Sequence, residues 1–81
     1  MYHVYIIYSE SLQLYYVGST SNLASRLYDH NHHKSKFTSK GMPWILIKSF
    51  DRDSNSDALR LEKKIKSRGA KRYLDDIGFT G

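Results

Sequence analysis

The stretch "YYVGSTSNLASRLYDHN", residues Tyr15–Asn31, decides how the chain is organised. Its opening, together with Leu14, is aromatic and β-branched through Val17, the character of a strand. Gly18, Ser19 and Thr20 then read as a turn, and Thr20, Ser21 and Asn22 each carry a side-chain oxygen able to cap a helix N-terminus. Leu23 and Leu27 stand four apart, which places both on one helical face and predicts a helix ending near Asn31. Arg26 and His30 have the same spacing and border that apolar stripe, so two polar groups look toward the margin of a sheet.

Working outward, Tyr2–Tyr8 repeats the strand character, and "SESLQ" is a short polar break between it and Leu14. The two runs read as a β-hairpin. From His32 to Pro43 the chain is polar and basic and contains Gly and Pro, which predicts an exposed loop before a third strand, Trp44–Phe50. "DRDSNSD" is a turn rich in caps, after which Ala58, Leu61 and Ile65 recur at helical spacing until Gly69 offers a C-cap. Lys63, Lys64, Lys66 and Arg68 suit the negative end of that helix. A short last helix is expected from Ala70 to Ile77, with Tyr73, Leu74 and Ile77 inward. The order ββαβα(α) predicts an α/β (α+β) fold, a small three-stranded, mainly antiparallel sheet flanked by helices. With 81 residues the expectation is one domain, 1–81, around a modest core.

The chain has no cysteine, so neither a disulfide framework nor a thiolate metal site is available and a reducing, cytoplasmic setting is expected. "MYHVYIIY" lacks a basic n-region and no apolar run reaches the ~20 residues of a membrane span, so neither export nor a membrane anchor is expected. Thirteen Lys and Arg against eight Asp and Glu leave a net charge of +5. That excess either attracts a polyanion, foremost a nucleic acid, or only keeps the protein soluble.

Glu62 is the least expected residue, because it falls inside the Ala58/Leu61/Ile65 stripe rather than opposite it. A carboxylate there needs a cation, so its partner is Arg26, a lysine or a divalent metal ion. Seven tyrosines are mostly packing residues, but Tyr5 and Tyr16 would share a face if the hairpin register set them opposite each other. In "HNHHK", His32 and His33 read as solvated, since four zinc ligands cannot be assembled from this chain.

"VYI" at Val4–Ile6, "YVG" at Tyr16–Gly18, "GSTSNLASRLYDH" and a later helix with "LEKKIK" together resemble the GIY-YIG nuclease superfamily. The resemblance is to stand-alone single-domain bacterial members related to the N-terminal nuclease domain of the excinuclease, and it runs from Tyr2 to about Tyr73. It implies that Tyr5 helps activate the attacking water and that Tyr16 positions water or phosphate. It further implies that Arg26 stabilises charge on the scissile phosphate and that His30 shares a proton with the tyrosine. Glu62 would be the single protein ligand of one divalent ion, Mg²⁺ or Mn²⁺, and Gly18 would let backbone pass close to the site. One carboxylate suits Mg²⁺, which keeps several waters. A tyrosine needs neighbouring positive charge before it becomes a phenolate near neutral pH.

Two positions depart from the family pattern: the first motif reads Val-Tyr-Ile, and no Asn follows Asn55 to match the late asparagine of some members. The implied activity is endonucleolytic hydrolysis of DNA, with RNA not excluded and DNA repair as a setting. Specificity would be weak or supplied by a protein partner. Lys34, Lys36, Lys40 and Lys48, with Lys66 and Lys71, are the candidate phosphate contacts. The alternatives are a non-cleaving nucleic-acid-binding module of the same fold and a protein-interaction scaffold.

Overall fold

The computed structural model describes residues 1–32 and 38–79. Three strands, β1 (Tyr2–Ser9), β2 (Leu14–Thr20) and β3 (Trp44–Arg52), form one sheet in the order β2-β1-β3 with both pairings antiparallel. Helix α1 (Leu23–His30) follows the hairpin, a 3₁₀ turn (Ser39–Gly41) precedes β3, and α2 (Asn55–Arg68) and α3 (Ala70–Asp76) follow it. The expected α+β architecture is the one the chain adopts.

β1 is central because it is apolar on both faces. Val4, Tyr5, Ile6 and Ile7 are all at most 1% exposed. Val4 and Ile6 pack with Val17 against Ala58, Leu61, Ile65 and Leu74 from the later helices. Tyr5 and Ile7 face the other way, with Trp44, Tyr16, Leu23, Leu27 and Met42. The sheet is therefore a wall between two small cores, and a strand covered on both sides cannot alternate apolar with polar.

The caps follow side-chain chemistry. The Asn22 side chain accepts from the Ser25 amide at 3.0 Å, which selects it among the three candidates, while Thr20 Oγ1 accepts from the Asn22 amide at 3.1 Å. Ser54 accepts from the Asp57 amide at 3.1 Å and starts α2. Gly69 ends it at φ 96°, a backbone state that L side chains resist, with its amide donating to the Ile65 carbonyl at 2.8 Å.

Three expectations about elements change. Gly18, Ser19 and Thr20 are the end of β2, paired with Tyr5, Val4 and His3, instead of a turn. The segment before β3 is not wholly exposed: Thr38 is fully buried, because its carbonyl accepts from the Trp44 indole N–H at 2.7 Å. Ile77 is the exposed C-cap of α3, and the inward positions near that end are Leu74, Tyr73 and Phe79.

Candidate active site

Tyr5 lies at the middle of the central strand, 1% exposed, with Gly18 directly across from it on β2. The ring occupies the space a side chain at 18 would need. A Cβ built on Gly18 would stand 2.5 Å from the Tyr5 hydroxyl and 2.7 Å from Cζ. Glycine is thus demanded by the tyrosine beside it rather than by backbone dihedrals.

The Tyr5 hydroxyl is 2.8 Å from His30 Nε2, and His30 Nδ1 is 2.6 Å from Thr38 Oγ1. His30 and Thr38 are both fully buried. The Arg26 guanidinium also acts on the Tyr5 hydroxyl, where a neighbouring cation and donor lowers the phenol pKa. A neutral imidazole has one donor and one acceptor nitrogen, so His30 gives one of these two bonds and receives the other. Burial, and then the Arg26 charge, hold the imidazole below its ordinary 6.5, so the ring is neutral at pH 7. For Tyr5 burial outweighs the Arg26 hydrogen bond, and its pKa is pushed up to about 12. The expectation that neighbouring charge would favour the phenolate is therefore not met in the resting protein, because desolvation in the strand core is the larger effect.

Tyr16 sits opposite Ile7, two residues along from the partner of Tyr5, so the tyrosines are diagonal and not opposite. A shift of two keeps both on the face that α1 covers. Their ring centroids are 6.4 Å apart, and the Tyr16 ring lies 5.1 Å from His30 and 6.3 Å from Trp44, edge-on to both.

Glu62 lies on the opposite side of the sheet from Tyr5 and Tyr16. Its Oε1 accepts from Ser19 Oγ at 2.7 Å, and Ser19 pairs with Val4, on the face that packs against α2. Oε2 meets Lys66 Nζ at 2.6 Å, one turn along the helix. Glu62 therefore pairs with a lysine and not with Arg26, whose carboxylate neighbour is Asp29 at 3.9 Å. Burial raises the Glu62 pKa, but the hydrogen bonds from Lys66 and Ser19 and the Lys66 charge outweigh it and leave the group below its usual 4.5. The Glu62 charge still registers at Tyr5, where it raises the phenol pKa. β2 is an edge strand, and Glu62 and the two tyrosines stand on its opposite faces.

Among the described residues no group of three or more His, Cys, Asp or Glu side chains converges as a metal cage. One half-buried, ionised carboxylate fits a hard cation that keeps its waters and takes further oxygens from phosphate, provided the ion replaces Lys66 at Oε2.

The candidate phosphate contacts are not gathered together. Lys66 and Lys71 flank the β2 edge with the site, whereas Lys40 is in the 3₁₀ turn before β3 and Lys48 is on β3, the far edge, 5.8 Å from the centroid of the Phe50 ring. Lys34, Lys36 and His33 lie outside the described residues. His32 is exposed, stacked on Tyr28 with centroids 3.7 Å apart. Sequence reasoning does not single out Thr38 or Ser19. Ser19 lies in the decisive stretch but has the character of a turn residue, and Thr38 carries no local signal, because its role depends on a histidine and a tryptophan brought to it by folding.

With this geometry in hand, residues 1–74 match the family model described as the GIY-YIG catalytic domain. The chain belongs to the GIY-YIG family. Comparisons with curated proteins and with solved structures gave no match. Within the GIY-YIG domain the match covers every strand, α1, α2 and most of α3, so Tyr5, Tyr16, Arg26, His30 and Glu62 all lie inside it. Family membership points to nuclease-type chemistry on nucleic acid. Among the described residues no helix is long and apolar enough to cross a membrane.

Proposed function

We propose that this GIY-YIG domain is a divalent-metal-dependent endonuclease that hydrolyses DNA phosphodiester bonds with little sequence preference of its own. The observation that carries the reading is the buried chain Tyr5–His30–Thr38, with the partly exposed Arg26 cation acting on its Tyr5 end. A phenol with a pKa near 12 cannot by itself hold a water's proton at pH 7. Tyr5 acts instead as a relay. As it accepts a proton from the attacking water, it passes its own to Nε2 of neutral His30, and Thr38 keeps the ring oriented by accepting from Nδ1–H. Arg26 offers further N–H groups to the charge that builds on phosphate oxygens. Tyr16 orients the phosphate or the water at the rim. Glu62 would hold Mg²⁺ or Mn²⁺, which supplies Lewis-acid stabilisation of the phosphate and leaving oxygen. The resemblance to the excinuclease nuclease domain makes cytoplasmic DNA repair the setting in keeping with this chemistry, with a protein partner supplying any target preference and RNA as a second substrate to assay.

One observation favours the non-cleaving alternative: the Lys66 ammonium already neutralises Glu62. Glu62→Gln separates the two. The variant keeps shape and loses the charge, so plasmid nicking in Mg²⁺ is expected to fall by at least about a hundredfold with DNA affinity retained. The melting temperature should barely move, since Lys66 is half exposed and a solvated pair of this kind contributes about 1 kcal/mol or less. Wild-type protein that binds but never nicks, with or without metal, would make the chain a binding module.

A further inference from the structure

We propose that the cleft between β2 and the α2–α3 junction is a second nucleic-acid subsite, which holds a single strand next to the cleavage site. This rests on the nuclease reading only for the identity of the polymer. The cleft has a volume of about 670 Å³ and is lined by Tyr15, Tyr16, Lys66, Arg68, Lys71 and Arg72, among others, with no carboxylate in its lining. Tyr16 belongs to its lining and its ring lies 5.1 Å from His30, so the cleft borders the β2 edge whose other face carries the Tyr5–His30 centre.

Its charge is available. Lys66 is shared with Glu62, and Arg68 is held by Asp76 through two bonds of 2.7 and 3.0 Å. Among the described residues the side chains of Lys71 and Arg72 make no hydrogen bond or ion pair, and both residues are exposed on the first turn of α3. The turn at Gly69 directs α3 back over β2, where buried Leu74 anchors it, so these two cations face the cleft instead of extending the line of α2. On the opposite wall Tyr15 is 38% exposed, its ring supported by Tyr8 at a centroid distance of 4.8 Å. Cations on one side and a braced, accessible ring on the other match a polymer that alternates phosphate with a flat base. An unpaired strand is selected because the ring needs a base face, which a duplex does not offer.

The experiment is fluorescence anisotropy with labelled oligothymidylate, oligouridylate and a DNA duplex, in EDTA across a salt series, so that cleavage plays no part. Lys71→Ala/Arg72→Ala should weaken single-strand binding by at least tenfold at low salt and flatten the log–log salt slope by about 1.4, two strand phosphates at ~0.7 each. Tyr15→Ala should weaken it by roughly five- to a hundredfold without changing the slope. Lys63→Ala/Lys64→Ala, which removes the same charge from α2 outside the cleft lining, should leave the slope as in wild type. Equal losses in both lysine-containing double variants, or a Tyr15→Ala effect as large on duplex as on single strand, would overturn the subsite. Oligouridylate binding as tightly as oligothymidylate would support a subsite that reads phosphate and base without the sugar. Because binding is read without metal, a chain that never cleaves but loses strand affinity in these variants would sink the nuclease reading and leave the subsite standing.

Discussion

His30 shows how far a residue's role depends on its surroundings. On a helical wheel it is a polar neighbour of Arg26 at the border of an apolar stripe; in the fold it is fully buried between Tyr5 and Thr38. Its pKa is held below 6.5, so between that folded value and 6.5 the unfolded chain binds more protons than the folded one. The ring's contribution to stability is therefore complete above about pH 6.5 and is lost as the pH falls through the folded value. Melting temperatures of wild type and His30→Gln followed from pH 8 to pH 4.5 should differ most at the alkaline end and converge on acidification. At neutral pH the substitution should cost about 1–3 kcal/mol, because Tyr5 and Thr38 lose a buried partner. A gap that stays constant over the whole range would show that His30 does not titrate with folding. Tyr5 carries the complementary lesson: the same burial pushes its pKa up to about 12 and makes it a poor phenolate at rest.

At the scale of elements, the site is a property of edge strand β2. Gly18 makes room for the Tyr5 ring on one face, and its neighbour Ser19 holds Glu62 on the other. Successive residues of a strand point to opposite faces, so "GS" meets Tyr5 on one face and Glu62 on the other. Gly18→Ala tests this. Its Cβ would fall 2.5 Å from a hydroxyl that cannot swing away without breaking the His30 bond. A loss of about 1–3 kcal/mol in urea unfolding is expected, and nicking should fall further than the folded fraction does. A variant with wild-type stability and activity would mean that the Tyr5 ring moves freely. Helix α1, only eight residues long, is fixed at both ends by asparagines: Asn22 caps it, and Asn31 clasps Trp44, donating to its carbonyl at 3.1 Å and accepting from its amide at 2.6 Å. That clasp ties the helix bearing Arg26 and His30 to β3 across the sheet.

For the molecule as a whole, two small cores share one central strand, and neither is large. At 81 residues the total stability should be roughly 4–12 kcal/mol. Ile65 is fully buried between α2 and the sheet, and Ile65→Ala should cost about 2–5 kcal/mol. That corresponds to a fall in melting temperature of roughly 10–30 °C by circular dichroism. Since α2 carries Glu62, cleavage should track the loss of folded protein. A shift of only a few degrees would show that this core does not hold α2 to the sheet. Among the described residues the cations are not gathered on one face: Lys40 and Lys48 belong to the β3 side, Arg26 stands by Tyr5, and Lys66, Arg68, Lys71 and Arg72 line the cleft at β2.

The sequence by itself determined the three strands, the hairpin, the helices with the C-cap at Gly69, and the family, because these rest on local chemistry and spacing: β-branched runs, leucines four apart, an ordered set of motifs. Which of Thr20, Ser21 and Asn22 caps α1 was left to the structure. The sequence also singled out Glu62 as a carboxylate that needed a partner. Which partner it took, Ser19 and Lys66 and not Arg26, was settled by the edge position of β2, which no local pattern encodes. The two-residue offset between Tyr5 and Tyr16, the burial of Thr38 and the high pKa of Tyr5 are likewise decided only by the tertiary structure. The reason is physical: register, burial and desolvation are set by what the rest of the chain packs against a residue, and residues 43 or 25 positions apart in sequence meet only after the sheet has formed.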